Sequence, residues 1–408
     1  MGQHEEGFSN AGNYVAPGRI AAKIICRVFQ RNIKVGQLFL QFPTNSISIG
    51  QGNPVCSIEP PTLWRFARMV MRADLNVADH YVRGYWNCDM KDLYHLLVIL
   101  FQNRDSNLWR YFSYVNERNP LRDSVIYRLF PKLINKNTAF HYSSNTDFMR
   151  IVLGDTLLYT CAFFDSDADK LDNAQLNKVH TVASRLQIEP SDDVLELGCG
   201  WGNTAEIISE DYKCKVTGVN LTSSQIDYAK KNSGHDTHFI NSNIFDFDPG
   251  REFDRIYSIG MLEHIGVGLH SRFFAKVARL LKPGGTALIH CIVREKPGAT
   301  NAWIDSAVFP GGYIPLISDV VRSIEQNRIS IKDIFIHHKS NYFRTLKSWR
   351  ENFFSSEKAL REILLRDLQA PEVEKIMRMW NFYLAVSQLS FSPEHGTYQT
   401  AQFSLQKN

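Results

Sequence analysis

Strand–helix alternation in the C-terminal half predicts an α/β protein: a mostly parallel sheet covered on both sides, preceded by a small α+β domain. Three observations carry this. From about residue 190, the apolar runs DDVLELG, KCKVTGVN, FDRIYSIG and GGTALIHCIV are separated by helical stretches, the pattern of parallel strands joined by crossover helices. Two later segments, SIKDIFIHH and TYQTAQFSLQ, read as strands that add an antiparallel end to that sheet. Well ahead of these, Gly36 to Ile49 alternates apolar and polar residues on both sides of Pro43-Thr44-Asn45, as a β-hairpin does.

Between the late strands, residues 343–366 and 371–390 read as helices, the second rich in Met377, Met379, Trp380 and Phe382. In the front part, residues 17–31 (PGRIAAKIICRVFQR) form a basic amphipathic pattern. Arg19, Lys23, Arg27 and Arg31 fall four apart, with Ile20, Ile24, Ile25, Val28 and Phe29 on the other side. Such a helix either packs on its own domain with a solvated face or lies on a membrane surface. A second stretch, PPTLWRFARMVMR, interleaves Arg65, Arg68 and Arg72 with Trp64, Phe66 and Met69. The expected division is a basic front domain over 1–135, a polar linker over 136–158 and a second domain over 159–408.

Charge is uneven along the chain. Residues 1–150 hold 18 Lys and Arg against 11 Asp and Glu, a balance of +7; the remainder holds 28 against 31. A basic front half suits a polyanion, either nucleic acid or anionic phospholipid. The seven cysteines are scattered, with no CxxC pair and no His cluster at zinc spacing, so the expectation is a reducing compartment and no metal. The start of the chain has no signal-like apolar stretch, and the longest apolar run, Leu93 to Phe101, is too short to span a bilayer. The expectation is a cytoplasmic protein, with any membrane contact peripheral and on the inner face.

Chemistry enters with VLELGCGWG, residues 194–202, at the end of a strand. Glycines let the backbone turn sharply and approach a ligand, and the following helix presents its N-terminus there. The GxGxG spacing, the acid Glu196 two residues before Gly198, and the lack of a GxGxxG finger favour S-adenosylmethionine over a dinucleotide. This makes the sheet Rossmann-like, of the class I S-adenosylmethionine methyltransferase type. The next strand ends in VTGVNLTSSQ, where Asn220 and Gln225 are candidate hydrogen-bonding partners of a ribose.

With these motifs in hand, the chain resembles the cyclopropane fatty acid synthase family, which includes the mycolic acid cyclopropane and methyl-branching enzymes. YTCAFF (159–164), VLELGCGWG, GVNLTSSQ, SIGMLEHIG, LLKPGGTALIHCIV, VFPGGYIP and NYFRTLKSWRENF match in order, and DHYVRGYWNCDMKDL is similar to the family's N-terminal lipid-associated domain. The resemblance implies S-adenosylmethionine contacts at Tyr159 and Thr160, along the loop Gly198, Cys199, Gly200, Trp201 and Gly202, and over Asn220, Leu221 and Gln225. Adenine recognition would fall at Asn243 and Ile244, where family members often carry an acidic group. The resemblance also implies a buried bicarbonate held by Glu263, His290 and Tyr342, with backbone help near Cys161 and Ile292. Where the family often has a late-helix cysteine this chain has Ser387, so no catalytic thiol stands there.

The implied reaction adds a methylene to the cis double bond of an unsaturated acyl chain. An alkene is a weak nucleophile, so the donor must be held in line in a dry slot. A base must then take a proton from the added methyl, and Phe163, Phe164 and Tyr342 are candidate aromatic faces for the intermediate cation. Cys161 has no basic neighbour in sequence and reads as a wall of the site. The implied partners are an anionic phospholipid surface and the acyl chain; a homodimer is compatible with the sequence. A methyl- or methylene-branching enzyme of the same family is the alternative, and a small-amine N-methyltransferase is disfavoured by the basic front half. No base-flipping or RNA-stacking signature points to nucleic acid.

Overall fold

The computed structural model describes residues 27, 30–42, 45–59, 62, 69, 73–103, 145–234, 236–298 and 301–408. Most of the basic helix expected over 17–31, most of the stretch around Arg65 to Arg72 and the first part of the expected linker, 136–144, lie outside these residues. The chain divides into two compact units, Met1–Phe112 and Ser113–Asn408.

In the first unit, β1 (Gly36–Phe42) and β2 (Asn45–Gln51) form the expected antiparallel hairpin, with Leu38 opposite Ile49. A third strand, β3 (Val55–Ile58), pairs with β1 in parallel and was not legible, being only four residues long. Helices α1 (Ala73–Val82) and α2 (Leu93–Gln102) follow. The apolar run at Leu93 is α2, which buries Leu93, Leu96, Leu97 and Ile99. Asn103, just beyond it, accepts from the Lys34 and Val35 amides at 2.7 and 3.2 Å and donates to the Val35 and Ile99 carbonyls. One buried amide therefore ties the helix end to the chain entering β1.

The described residues of the second unit begin inside the stretch expected as a linker. Residues 146–153 instead form helix α3 (Thr146–Leu153), started by the Asn145 side chain and ended at Gly154, with Phe148, Met149, Val152 and Leu153 buried. Its polar first residues cap a helix whose apolar face comes only in the last two turns, which is why composition alone read it as linker. Next come α4 (Leu171–Leu186), β4 (Asp193–Leu197), α5 (Asn203–Tyr212), β5 (Lys215–Asn220), α6 (Ser223–Lys231), β6 (Thr237–Asn241) and β7 (Phe253–Ile259). After them run α7 (His270–Leu280), β8 (Leu281–Arg294), α8 (Ile317–Glu325), β9 (Ile329–His337), α9 (Lys339–Ser355), α10 (Glu357–Leu364), α11 (Ala370–Ser390) and β10 (Tyr398–Lys407). The first of the two expected late helices is thus divided at Ser356, whose backbone leaves the helical region.

The seven strands lie in the order β6-β5-β4-β7-β8-β10-β9, with β10 antiparallel to both neighbours. This is the expected Rossmann-like methyltransferase sheet. Successive residues point to opposite faces. On one face Leu195, Leu197, Ile289 and Val293 pack under Phe273, Phe274, Val320 and Ile324 of α7 and α8. On the other Val194, Val216, Tyr257 and Leu288 pack under Val179 and Leu186 of α4, Ile208 of α5 and Ile226 of α6. Among the described residues, no helix is long and apolar enough to cross a membrane.

The turn after β4 depends on Gly202. It sits at φ +86°, and a Cβ there would come within 2.7 Å of the Phe239 ring and 2.9 Å of the Ala229 Cβ. Only glycine meets both demands. We expect Gly202→Ala to lower the unfolding free energy by about 1–3 kcal/mol, measured by urea denaturation; an unchanged midpoint would show that α5 and β6 shift freely.

Candidate active site

Three adjoining cavities lie within the second unit. The first is a cleft of about 720 Å³ at the carboxyl ends of β4, β5 and β7, where open α/β sheets bind ligands. Tyr159, Thr160, Glu196, Gly198, Cys199, Gly200, Trp201, Asn220 and Gln225 line it, all of them residues the motifs had pointed to. Asn203, Thr204, Met261 and His264 join them and had not been singled out. Burial pushes the Glu196 carboxyl up to about 8, and its Oε2 has no hydrogen-bond partner. Asn220 Nδ2 donates to Gln225 Oε1 at 2.7 Å, leaving the Gln225 amide nitrogen unpartnered. The cleft therefore offers a carboxyl that a cationic group would draw into its ionised form, and amide donors for hydroxyls.

Four of the expected contact residues stand elsewhere. Gly202 is the N-cap of α5, packed on Phe239. The Leu221 carbonyl accepts from Asn241 Nδ2 at 2.9 Å. Asn243 turns the chain after β6, its Oδ1 accepting from the Phe245 amide. Ile244 belongs to the core beneath α7. None of the four lines the cleft.

The second cavity, about 940 Å³, is walled by aromatic and aliphatic side chains from the loop after β8, from α9 and from α11, including Ile304, Phe309, Tyr313, Leu346, Tyr383 and Phe391. Ser387 lines it as well. The two cavities share Tyr159, Gly260 and His264. Gly260, at φ +66°, leaves room there, since a Cβ would meet Thr160 Cγ2 at 2.9 Å. The Tyr159 hydroxyl donates to that of Tyr383 at 2.8 Å, and its ring packs on Trp349. Burial holds the His264 imidazole neutral, down at about 4.

Of the three aromatic residues considered for a cation, Tyr342 alone lines this cavity. Phe163 is stacked on His337 with ring centroids 4.0 Å apart, and Phe164 lies under the Arg344 guanidinium. The faces that do line it had no spacing signal, because they come from a loop and two helices distant in sequence.

The third cavity is small, about 190 Å³, and is walled by Thr160, Cys161, Glu263, His290, Ile292, Tyr342 and Thr400 among others. All five residues expected around a small oxyanion therefore meet in one place. Glu263 follows β7 in a short 3₁₀ turn, Leu262–His264. Its Oε1 accepts from the Ile292 amide at 3.3 Å, while its Oε2 is buried without a partner. Desolvation raises this carboxyl to about 7. His290 is buried, its Nδ1 also without a partner, and burial keeps it well below the usual imidazole range. A buried carboxyl near neutrality, a neutral imidazole and a phenol make a donor and acceptor set of the kind a small planar oxyanion uses. Glu263, Ile292 and Tyr342 line the second cavity too, so the small site opens onto it.

One contributor escaped the motif reading. Gln175 and Lys178, three residues apart on α4, grip the segment that walls the cavities. Gln175 Nε2 donates to the Leu158 and Thr160 carbonyls at 3.1 and 3.0 Å, and Lys178 Nζ donates to Thr160 Oγ1 at 2.8 Å. The only available signal was two polar residues on the apolar side of an amphipathic helix.

Comparison with known proteins agrees with this geometry. Residues 132–403 match the family model described as mycolic acid cyclopropane synthetase. The chain is 30% identical over 331 residues to cyclopropane-fatty-acyl-phospholipid synthase of Escherichia coli K12, covering 78% of this chain and 80% of that protein. Among solved structures, a cyclopropane synthase of Mycobacterium tuberculosis superposes with a TM-score of 0.61 at 26% identity, covering 67% of this chain and 98% of that one. A mycolic acid cyclopropane synthase complexed with S-adenosylhomocysteine gives 0.60 at 27%, with the same coverage. The glycine-turn cleft, the aromatic cavity it meets and the sheet order thus have one common explanation: the chain belongs to the mycolic acid cyclopropane synthetase family and is an S-adenosylmethionine-dependent methyltransferase.

Proposed function

We propose that the protein converts the cis double bond of an unsaturated acyl chain in a membrane phospholipid into a cyclopropane ring. The observation that carries this is the junction of the cavities. A cleft suited to a cationic nucleotide meets an apolar aromatic cavity, and a small polar site opens off the latter. The name of the Escherichia coli relative supports the phospholipid as substrate.

Bound S-adenosylmethionine supplies an electrophilic methyl, and bound bicarbonate supplies a base. The methyl carbon would bond to one alkene carbon as its bond to sulfur breaks and S-adenosylhomocysteine leaves, with a cation at the other alkene carbon. Loss of a proton from that methyl to the base would free the C–H electron pair that closes the ring. Glu196 receives a cationic amino group, and Asn220 with Gln225 receives hydroxyls. Tyr159, Tyr342 and Tyr383 turn ring faces and apolar bulk toward the cation and keep water from it. Glu263, fixed by the Ile292 amide, would hold a small oxyanion through its unpartnered Oε2, with neutral His290 and the Tyr342 phenol as donors to it.

Cys161 fits this only as a wall. Burial pushes its thiol up to about 12, and its Sγ lies 3.4 Å from the Ala162 carbonyl, so the nucleophilic thiolate is scarce. A basic front half and the cationic stripe at Arg19, Lys23, Arg27 and Arg31 support docking on anionic lipid.

Lipids of a host expressing the protein should show cyclopropane ring-proton signals by NMR. Olefinic methylene signals in their place would make it a branching enzyme. Stripping carbon dioxide from the buffer should lower turnover of the purified enzyme, and added bicarbonate should restore it. Glu263→Gln should cost about two orders of magnitude in kcat with little change in S-adenosylhomocysteine affinity; an active variant would remove Glu263 from the mechanism. Cys161→Ser should keep activity within about threefold of the parent, and a trapped thioether at Cys161 would overturn its reading as a wall. Binding to anionic liposomes should fall when the four stripe residues are reversed in charge, each contributing on the order of 1 kcal/mol; equal binding to neutral liposomes would overturn the docking.

A further inference from the structure

Lys178 is fully buried, and among the described residues Glu196 is the carboxylate whose charge acts on it, without a direct ion pair. Its one hydrogen bond is to Thr160 Oγ1, at 2.8 Å. A desolvated ammonium with a single neutral partner is costly unless an opposite charge is near. Glu196 is the nearest carboxylate acting on it, but Glu196 lines the cofactor cleft and has its own cationic ligand to receive. Once that ligand is in place, Lys178 lacks an anion.

The small cavity is where one would sit. Thr160 lines it, as do Cys161 and His290, and the Lys178 charge acts on both of the latter. Lys178 and His290 lie on the same side of the sheet, because α4 covers the face that carries Leu288 and its i+2 neighbour. We propose that Lys178 supplies the positive charge that retains the oxyanion in the small cavity, acting through Thr160, and is a positioning residue for the base. This rests on the reading of that cavity as a bicarbonate site.

Two consequences follow from the arrangement. Desolvation draws the Lys178 ammonium down to about 8, so it is still charged at neutral pH, and an oxyanion beside it holds it so. Because Thr160 walls both the cofactor cleft and the small cavity, donor binding and anion binding share one hydrogen-bonded support.

The test titrates bicarbonate into carbon-dioxide-depleted holoenzyme assays with unsaturated phospholipid vesicles, using Lys178→Met and Lys178→Gln. Methionine removes the charge and the hydrogen bond; glutamine keeps a donor for Thr160 and removes only the charge. Both should raise the half-saturating bicarbonate concentration at least about tenfold. At saturating bicarbonate, the kcat of Lys178→Gln, which keeps the Thr160 support, should return to within about threefold of the parent, while Lys178→Met, which loses that support, should also weaken S-adenosylhomocysteine binding. If the methionine variant fails to fold, the glutamine variant decides. An unchanged bicarbonate requirement in folded Lys178→Gln overturns the proposal and leaves the bicarbonate reading standing. A kcat that stays low at saturating bicarbonate makes Lys178 merely structural and also overturns it. A parent enzyme with no bicarbonate requirement brings down the reading, and this proposal with it.

Discussion

The pairing of β7 with β8 places everything the chemistry uses. Ile259, the last residue of β7, pairs with His290, and the Gly260 amide donates to the His290 carbonyl at 2.9 Å. The chain leaving β7 therefore turns directly over β8, and Glu263 arrives at the Ile292 amide. His290 and Ile292 are two apart on β8 and share a face, while Cys291 points into the opposite core. A slip of one residue would turn His290 into the core beneath α7 and α8 and point Cys291 at the site. The register is guarded on the other side by β10, where Gln402 pairs with His290 and Thr400 with Ile292.

Around that register the protein keeps its ionisable groups dry. Burial raises Glu196 and Glu263 and lowers Lys178, each toward the region between about 7 and 8. Burial also leaves His264 and His290 neutral. Charges held this way interact strongly because little water screens them. They are also held in reserve, since each lacks a close counter-ion among the described residues until a ligand arrives. The same dryness suits a carbocation, which any ordered water would capture.

Support for these groups comes from α4. Its apolar positions Val179, Val182 and Leu186 bury it against the sheet, and the adjacent polar positions hold the 158–163 segment. Phe163 N donates to the Ala174 carbonyl at 2.9 Å, and Ala162 N donates to Thr345 Oγ1 on α9 at 3.0 Å. The YTCAFF segment is thereby clamped between two helices far apart in the chain, which keeps its backbone still beside both cavities.

Periodicity and glycine placement alone determined much of this protein. The strands of the second unit other than β6, the hairpin at Gly36 and the cofactor turn at Gly198 are local patterns of alternation and turn chemistry, so they are legible without contacts. The set of Glu263, His290, Tyr342, Cys161 and Ile292 was legible through resemblance, not through spacing. The tertiary structure alone decided the rest. β3 is too short to declare itself, β6 is an edge strand in which only Phe239 is buried, and α3 hides behind a polar cap. Asn243 turns the chain after β6 and Ile244 packs into the core, so neither lines the cleft. Lys178 carries no sequence motif of its own, and it is the packing of α4 on β8 that buries it. Burial and convergence are properties of elements brought together over long stretches of chain, and no single segment carries them.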